Sequence, residues 1–241
     1  MAEELWRLGA VELAGLIRTR EVTSREVVEV HLERIAAVNE ALNAVTVTLS
    51  EAALPAADRA DAAIAAGDDL SALQGVPFTV KENVDVVGSA TTRGLRALEH
   101  AIPDRDAPMI TQLRAAGAIP LARTNMCDFG LRWHTDSALR GATVNPWDAS
   151  RTPGGSSGGE AVALATGMTP LGIGNDYGGS LRIPAQFCGI ASLRPTLGRV
   201  PHATAFMPQD VPITLQLMAV QGPMARRVAD LRLALEHMCG G

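Results

Sequence analysis

Two glycine- and serine-rich segments in the second half of the chain constrain its fold more than any other feature. Residues 153–159 read PGGSSGG, and residues 174–184 read GNDYGGSLRIP. Patterns typical of strands and helices flank both segments, which disfavours a flexible linker. Glycine adopts backbone conformations that other residues avoid, and it lets a ligand approach the main chain. The two segments therefore predict ordered turns around a site in an α/β domain.

Strand and helix patterns alternate along the chain, which predicts a partly parallel sheet. In the first half we predict a capping box at Thr23 and Glu26, followed by a helix with the apolar stripe Val28, Leu32, Ile35 and Val38. An alanine-rich helix over 52–66 ends at Gly67, and residues 75–81 form a turn followed by a short buried strand that ends at Lys81. Asp106 is the predicted N-cap of a helix that has Pro108 in its first turn and ends at Gly117.

The same alternation continues in the second half. It predicts strands over 119–122 and 169–174, helices over 160–166 and near Leu181, and a loop over 201–212. A closing helix over 228–238 is predicted to end at Gly240, with an apolar face formed by Val228, Leu231, Leu235 and Met238.

Composition excludes several classes of protein. With 241 residues, 47% of them apolar and 20% charged, the chain is long and apolar enough for one sizeable core. A net charge of −5 and only 3% aromatic residues argue against a nucleic-acid partner. No apolar run is long enough to cross a bilayer, and residues 1–10 lack the apolar segment of a signal peptide. We therefore expect no membrane partner.

The three cysteines, Cys127, Cys188 and Cys239, are odd in number and scattered. They match neither a disulfide framework nor the spacing of a zinc site. We therefore expect reduced thiols in a cytoplasmic protein, without a metal or another cofactor.

One lysine stands among the 21 basic residues, and it is Lys81. Arginine keeps its proton at ordinary pH, whereas a buried lysine can lose it. Lys81 is therefore a candidate base or nucleophile.

The glycine-rich segments fit some site chemistries and not others. A phosphate-binding P-loop needs a lysine after the glycines, and the dinucleotide fingerprint needs glycine where Tyr177 stands. The segment that carries Ser180 does not contain the G-x-S-x-G pattern of a nucleophile elbow. Main-chain N–H groups in such turns can converge on an anion. Since Ser180 follows Gly178 and Gly179 directly, it is a candidate nucleophile beside an oxyanion hole.

Six motifs in order resemble those of the amidase-signature enzymes. They are GVPFTVKEN at 75–83, RTNM at 123–126, NPWD at 145–148, GGSSGG at 154–159, GNDYGGSLRIP at 174–184 and LRPT at 193–196. The resemblance covers about residues 73–201, and the helical N-terminal part is also similar. The single lysine falls on the position of the family's catalytic lysine.

This resemblance implies a serine hydrolase that cleaves a small-molecule carboxamide. Ser180 would be the nucleophile, Ser156 a bridging serine that follows a cis peptide bond, and Lys81 the terminal base. A serine hydroxyl attacks only when a base takes its proton, and a neutral lysine meets that need. The backbone N–H groups of Tyr177, Gly178, Gly179 and Ser180 would form the oxyanion hole.

The resemblance also assigns supporting roles and reveals departures from the family. Ser157, Asp176 and Arg182 would fix the turn, and Gly130 would approach the acyl group. The family usually has a small or β-branched residue at Tyr177, threonine at Asn175 and small residues over 131–134. None of the five histidines falls in these motifs, so we expect no catalytic histidine.

For the fold, the resemblance implies a mixed β-sheet flanked by helices that lacks the C-terminal half of the family fold. We expect a single structural domain, with residues 1–70 as a helical layer packed on an α/β core over 71–241. The partner would be a second copy of the chain or a complementing C-terminal chain. Three alternatives stay open: a non-catalytic module or half of a split enzyme, an esterase, and the ammonia-releasing subunit of a tRNA-dependent amidotransferase.

Overall fold

The computed structural model describes residues 2–68, 70–206 and 211–239. The helices are α1 (Ala10–Arg18), α2 (Ser24–Leu42), α3 (Ser50–Ala66), α4 (Pro108–Ala115), α5 (Gly158–Ala165), α6 (Arg182–Cys188), α7 (Ile213–Met218) and α8 (Val228–Met238). The strands are β1 (Val45–Thr48), β2 (Pro77–Lys81), β3 (Ile119–Thr124), β4 (Asp136–Ser137), β5 (Gly141–Ala142), β6 (Leu171–Asp176), β7 (Ala191–Ser192) and β8 (Val220–Ala225). Short 3₁₀ turns cover Ala2–Arg7, Arg96–Leu98 and Asp128–Gly130.

Within the described ranges, six strands form the central sheet in the order β1-β3-β2-β6-β8-β7. β2 pairs in parallel with β3 and β6, while β1 runs antiparallel to β3 and β8 runs antiparallel to β6 and β7. The predicted mixed sheet flanked by helices is confirmed. None of the helices in the described part is both long and apolar enough to cross a membrane.

Apolar side chains cover the sheet on both faces. One buried cluster joins β2 to α1, α4 and α8, and the other joins β3 to α2, α3 and α5. Successive side chains of a strand point to opposite faces. In β2, Phe78 and Val80 enter the first cluster, so Thr79 and Lys81 point to the side on which α5 packs. The strand period thus directs the single lysine toward the glycine-rich segments.

Several local predictions are confirmed. At the start of α2, Thr23 accepts a hydrogen bond from the Glu26 N–H (3.1 Å), and the Glu26 carboxylate accepts one from the Thr23 N–H (2.7 Å). α3 ends at Gly67, which has a left-handed conformation. The strand that ends at Lys81 is buried along its whole length.

Other local predictions are wrong in detail. Ala107, not Asp106, precedes the first residue of α4, because the Asp106 carboxylate accepts from the Val87 N–H (2.8 Å) and pairs with Arg114 (2.8 Å). The strand predicted over 169–174 lies two residues later, at β6. Val228 does not belong to the buried face of α8, since its side chain is exposed.

Two predictions extend beyond the described residues. Residues 201–206 of the predicted loop are irregular, as expected. Residues 207–210 of that loop lie outside the described residues, and α7 begins at Ile213. The predicted end of the closing helix at Gly240 also lies outside. The first 70 residues contribute strand β1 to the sheet as well as helices, and the division of the chain at residue 70 stays a prediction.

Candidate active site

The two glycine-rich segments meet at the carboxyl ends of two central parallel strands. β2 ends at Lys81, and its neighbour β6 ends at Asp176. Because carboxyl ends of parallel strands share one edge of a sheet, the turn after β6 lies beside Lys81. The other segment leads into α5, and there the Ser157 N–H donates to the carbonyl of Ser180 (3.3 Å). This hydrogen bond links the two segments that the sequence singled out.

Lys81 lies beneath this arrangement, and its side chain is fully buried. A hydrogen bond joins its Nζ to Ser156 Oγ over 2.6 Å. Burial penalises the ammonium form and lowers the pKa of Lys81 to about 7, although interactions with Cys127, Asp176 and Glu160 act in the opposite direction. Near pH 7, Lys81 is therefore neutral in about half of the protein molecules, and in these it is able to accept a proton.

Close packing fixes the main chain around Ser156. The peptide bond between Gly155 and Ser156 is cis. Gly154 has a φ of +83°, and a Cβ there would lie 2.7 Å from the Cα of Pro184, so only glycine fits. Gly130, expected near the acyl group, faces Ser156, since a Cβ on it would lie 3.1 Å from the Ser156 Oγ.

One buried carboxylate, that of Asp176, organises the turn that carries Ser180. It accepts hydrogen bonds from the N–H groups of Gly179 (2.8 Å) and Leu181 (3.2 Å). Arg182 donates to it through two guanidinium nitrogens, each at 2.9 Å. Burial alone would raise the pKa of Asp176, but the hydrogen bonds from Arg182, Gly179 and Leu181 outweigh burial and lower it. The ionised carboxylate therefore anchors the main chain on both sides of the serine.

One of the expected oxyanion-hole donors, the N–H of Gly179, already has a partner in the chain. It donates a hydrogen bond to Asp176 Oδ1 at 2.8 Å. The carbonyl of Gly178 accepts a hydrogen bond from Trp133 Nε1 at 2.9 Å. Both polar ends of the peptide unit between Gly178 and Gly179 are thus held by side chains.

The other three expected donors are the N–H groups of Tyr177, Gly178 and Ser180. They make no hydrogen bond to another group within residues 2–68, 70–206 and 211–239. A cavity of about 230 Å³ lies at this turn, and Ser156, Ser180, Gly130 and Tyr177 line it. The site therefore combines a recessed pair of hydroxyls with main-chain donors that have no partner among the described residues.

Ser157, the third residue expected to support the turn, contacts it in two ways. Besides its N–H bond to Ser180, its hydroxyl donates to the carbonyl of Asn175 at 3.4 Å. Each site residue expected from the sequence therefore lines the cavity, lies on the turn that borders it, or is hydrogen-bonded to a residue that does.

Sequence reasoning missed the role of Asn175, which it noted only as a departure from the family. Lys81 Nζ donates to Asn175 Oδ1 at 2.7 Å, and Asn175 Nδ2 donates to Asn83 Oδ1 at 2.8 Å. The departure itself was the signal that could have directed attention to this position.

Sequence reasoning also missed Glu160, in the first turn of α5. Its buried carboxyl accepts hydrogen bonds from the hydroxyls of Thr79 and Thr124, the latter at 2.7 Å. Burial raises the pKa of Glu160 to about 7, although these hydrogen bonds and the charges of Lys81 and Arg123 oppose the shift. No residue spacing in the sequence indicates this contact, because it joins three separate elements.

Known proteins share both the sequence and the fold. The indoleacetamide hydrolase of Bradyrhizobium diazoefficiens is 47% identical over 234 residues, which cover 97% of this chain and 45% of that protein. A glutamyl-tRNA(Gln) amidotransferase subunit of Acidothermus cellulolyticus is 43% identical over 229 residues, which cover 94% of this chain and 44% of that protein. The chain thus spans less than half the length of these curated relatives.

Solved structures of known enzymes also resemble this chain. A bacterial aryl acylamidase superimposes with a TM-score of 0.88 at 30% identity, covering 97% of this chain and 48% of that one. The 6-aminohexanoate cyclic dimer hydrolase, solved with its substrate, superimposes with a TM-score of 0.88 at 32% identity. The match covers 99% of this chain and 47% of that one. The model of the Amidase family matches residues 26–241. The chain therefore belongs to the amidase-signature family.

Proposed function

We propose that this chain hydrolyses the C–N bond of a carboxamide through an acyl-enzyme on Ser180. One observation carries the proposal: the buried Lys81 Nζ lies 2.6 Å from Ser156 Oγ, at a cavity that Ser180 also lines. A lysine whose pKa is about 7 can exchange protons near neutral pH. The relay therefore needs no histidine.

The acylation step moves one proton along this relay. Ser156 passes its proton to neutral Lys81 as it takes the proton of Ser180, whose Oγ attacks the carbonyl carbon. A tetrahedral intermediate with an oxyanion forms. When the C–N bond breaks, Lys81 returns the proton through Ser156 to the leaving nitrogen, and ammonia or an amine departs. The acyl group is then an ester of Ser180.

Deacylation repeats the sequence with water as the nucleophile. Water gives one proton to the relay as its oxygen attacks the acyl carbon. The C–O bond to Ser180 then breaks, and the relay returns the proton to the Ser180 oxygen. The products are a carboxylic acid and the regenerated enzyme.

The oxyanion would be bound by the N–H groups of Tyr177, Gly178 and Ser180. Each such donor is typically worth about 3 kcal/mol of barrier. The N–H of Gly179 instead maintains the turn through Asp176. In this scheme Ser157 and Arg182 act on the turn and do not touch the substrate.

The names of the relatives support small amides as the substrate class. Indoleacetamide, an aryl acylamide and a cyclic amide dimer are the substrates that those names imply. The cavity of about 230 Å³ is smaller than the pockets that typically bind drug-sized ligands, which favours a small amide. Activity toward esters and a cytoplasmic location stay predictions.

A second candidate is half of a two-part enzyme, such as one component of an amidotransferase or a module completed by another chain. Two observations favour it: the chain spans less than half of its relatives, and one relative is an amidotransferase component. Phe129, Leu131 and Trp133 are also exposed beside the cavity. A second copy or a complementing C-terminal chain would cover this apolar surface.

A fluorophosphonate probe separates these functions. We expect a covalent adduct on Ser180, located by mass spectrometry of the digested protein. Lys81→Met should abolish the adduct while the protein stays folded, because the relay then has no base. A folded chain that never reacts, either alone or with a complementing C-terminal chain, would refute the proposed hydrolysis. Reaction only after addition of that chain would support the two-part enzyme.

A further inference from the structure

Asn175, the residue that sequence reasoning missed, lies directly between the proposed base and the cavity wall. Its Oδ1 accepts a hydrogen bond from Lys81 Nζ at 2.7 Å, and its Nδ2 donates one to Asn83 Oδ1 at 2.8 Å. Both asparagines border the cavity that contains Ser156 and Ser180. Every polar atom of the Asn175 carboxamide therefore has a partner in the chain.

The directions of these bonds are chemically consistent with one another. The Asn83 oxygen cannot donate, so the amide nitrogen of Asn175 faces it and the amide oxygen faces Lys81. A flipped amide would place two oxygens together on one side and two N–H donors together on the other. Asn83 Oδ1 therefore supports the orientation in which Asn175 presents its amide oxygen to Lys81, and an ammonium group, which can only donate, favours the same orientation.

This arrangement decides where the lone pair of Lys81 points. A carbonyl oxygen carries no proton, so Asn175 can only accept from Nζ, whereas Ser156 Oγ carries the proton that Nζ must receive. When Lys81 is neutral, one of its N–H groups is held by Asn175 and its lone pair is left for the Ser156 hydroxyl. We propose that Asn175 is a positioning residue, which orients the Lys81 amine toward Ser156 through its carboxamide oxygen. This inference rests on the proposed function.

Asn175 also anchors the amine without adding a charge. The charged and titratable groups that face Lys81 come from the elements around β2: Glu160 of α5, Asp176 of β6, Cys127 after β3, and Arg123 of β3. The first three favour the ammonium form, and burial opposes it. A carboxylate in place of the Asn175 amide would add a negative charge in contact with Nζ and would trap the proton.

The chain offers an unusually direct test, because Lys81 is its only lysine. Protein grown with ¹³Cε-lysine gives one lysine signal, whose titration reports the protonation of Lys81 without assignment. The variants are Asn175→Asp, which keeps the shape and adds a charge, and Asn175→Leu, which removes the acceptor. Asn83→Asp adds the same charge at the residue that contacts Asn175 and is the matched control.

We expect Asn175→Asp to raise the titration midpoint of Lys81 by at least one pH unit, since an adjacent opposite charge typically shifts a pKa by about 1–3 units. Its rate of fluorophosphonate labelling should then fall about tenfold at pH 7 and recover toward the wild-type rate at pH 9. Asn83→Asp should shift the midpoint less. Asn175→Leu should label about fivefold more slowly at every pH. A fivefold change in rate corresponds to about the net free energy of one hydrogen bond.

An unchanged midpoint in Asn175→Asp, or wild-type labelling by Asn175→Leu, would overturn the inference. So would equal shifts in Asn175→Asp and Asn83→Asp, because they would indicate a general charge effect and not a contact. If one variant does not fold, as judged by circular dichroism, the other still decides. If the wild type never labels, the proposed hydrolysis fails, while the lysine titration separately reports whether Asn175 contacts the amine.

Discussion

Two adjacent glycines in the turn before Ser180 differ in what a methyl group would meet. Gly179 has a φ of +111°, and a Cβ there would lie 2.6 Å from Cδ1 and 3.0 Å from Cγ1 of Ile183. Gly178 lies outside the positive-φ region, and a Cβ there would meet no atom within 4 Å. The same substitution to alanine therefore tests the geometry of the turn with its own matched control.

The expected cost differs by several kcal/mol. A non-glycine residue in a sparsely populated backbone conformation costs about 1–3 kcal/mol, and an overpacked methyl group costs about 1–3 kcal/mol more. The contacting atoms belong to the outer part of the Ile183 side chain, which can shift, so we expect about 3 kcal/mol for Gly179→Ala. For Gly178→Ala we expect a change within about 1 kcal/mol, with a gain from the less flexible unfolded chain.

Urea unfolding of the two variants measures this difference, and fluorophosphonate labelling measures its effect on the site. Gly179→Ala should also label more slowly, because the strained turn moves the N–H that Asp176 accepts. Gly178→Ala keeps its own N–H and should label within a few-fold of the wild type. Equal stability of the two variants, or greater loss in Gly178→Ala, would refute the described turn geometry.

Three further predictions concern the base, the turn and the buried acid. Because the pKa of Lys81 is about 7, its neutral fraction rises from about 0.1 at pH 6 to about 0.9 at pH 8, and the labelling rate should rise about tenfold and then level. Lys81→Arg should be nearly inactive at every pH. A wild-type labelling rate that keeps rising to pH 10 would contradict a pKa near 7. Trp133→Phe removes a hydrogen bond to the Gly178 carbonyl and should slow labelling about fivefold. Trp147→Phe, which removes an indole bond to a carbonyl outside the turn, should have no effect, and equal effects would count against the role of Trp133. The folded pKa of Glu160 is raised to about 7, so its contribution to stability is present below pH 4.5 and is lost as the pH rises to 7. Between pH 4.5 and pH 7, the free energy of unfolding of the wild type, measured with urea, should fall by about 3 kcal/mol relative to that of Glu160→Gln. A difference between the two proteins that does not change with pH would refute the raised pKa of Glu160.

The sequence predicted the parts of the structure that depend on short-range patterns. The capping box at Thr23 and the buried strand that ends at Lys81 follow from local spacing and apolar content. The pairing of Lys81 with Ser156 was expected from the family resemblance together with the single lysine, and the two atoms lie 2.6 Å apart.

Other features depend on contacts between distant segments. β8 was not predicted, because Gly222 and Pro223 interrupt its strand pattern, and its partners β6 and β7 supply the pairing that maintains it. The hydrogen bond from the Gly179 N–H to Asp176 could not be predicted from the sequence, because it depends on the folded turn. The contact of Asn175 with Lys81 likewise joins two strands that lie far apart in the chain.

The proposed relay requires that the buried Lys81 be neutral often enough to serve as a base. Titration of the single ¹³Cε-lysine signal in the wild-type protein tests it most directly, because no other lysine contributes. We expect a midpoint near pH 7, well below the ordinary lysine value of 10.5. A midpoint near 10.5 would mean that Lys81 carries its proton at neutral pH, and it would contradict the proposed relay.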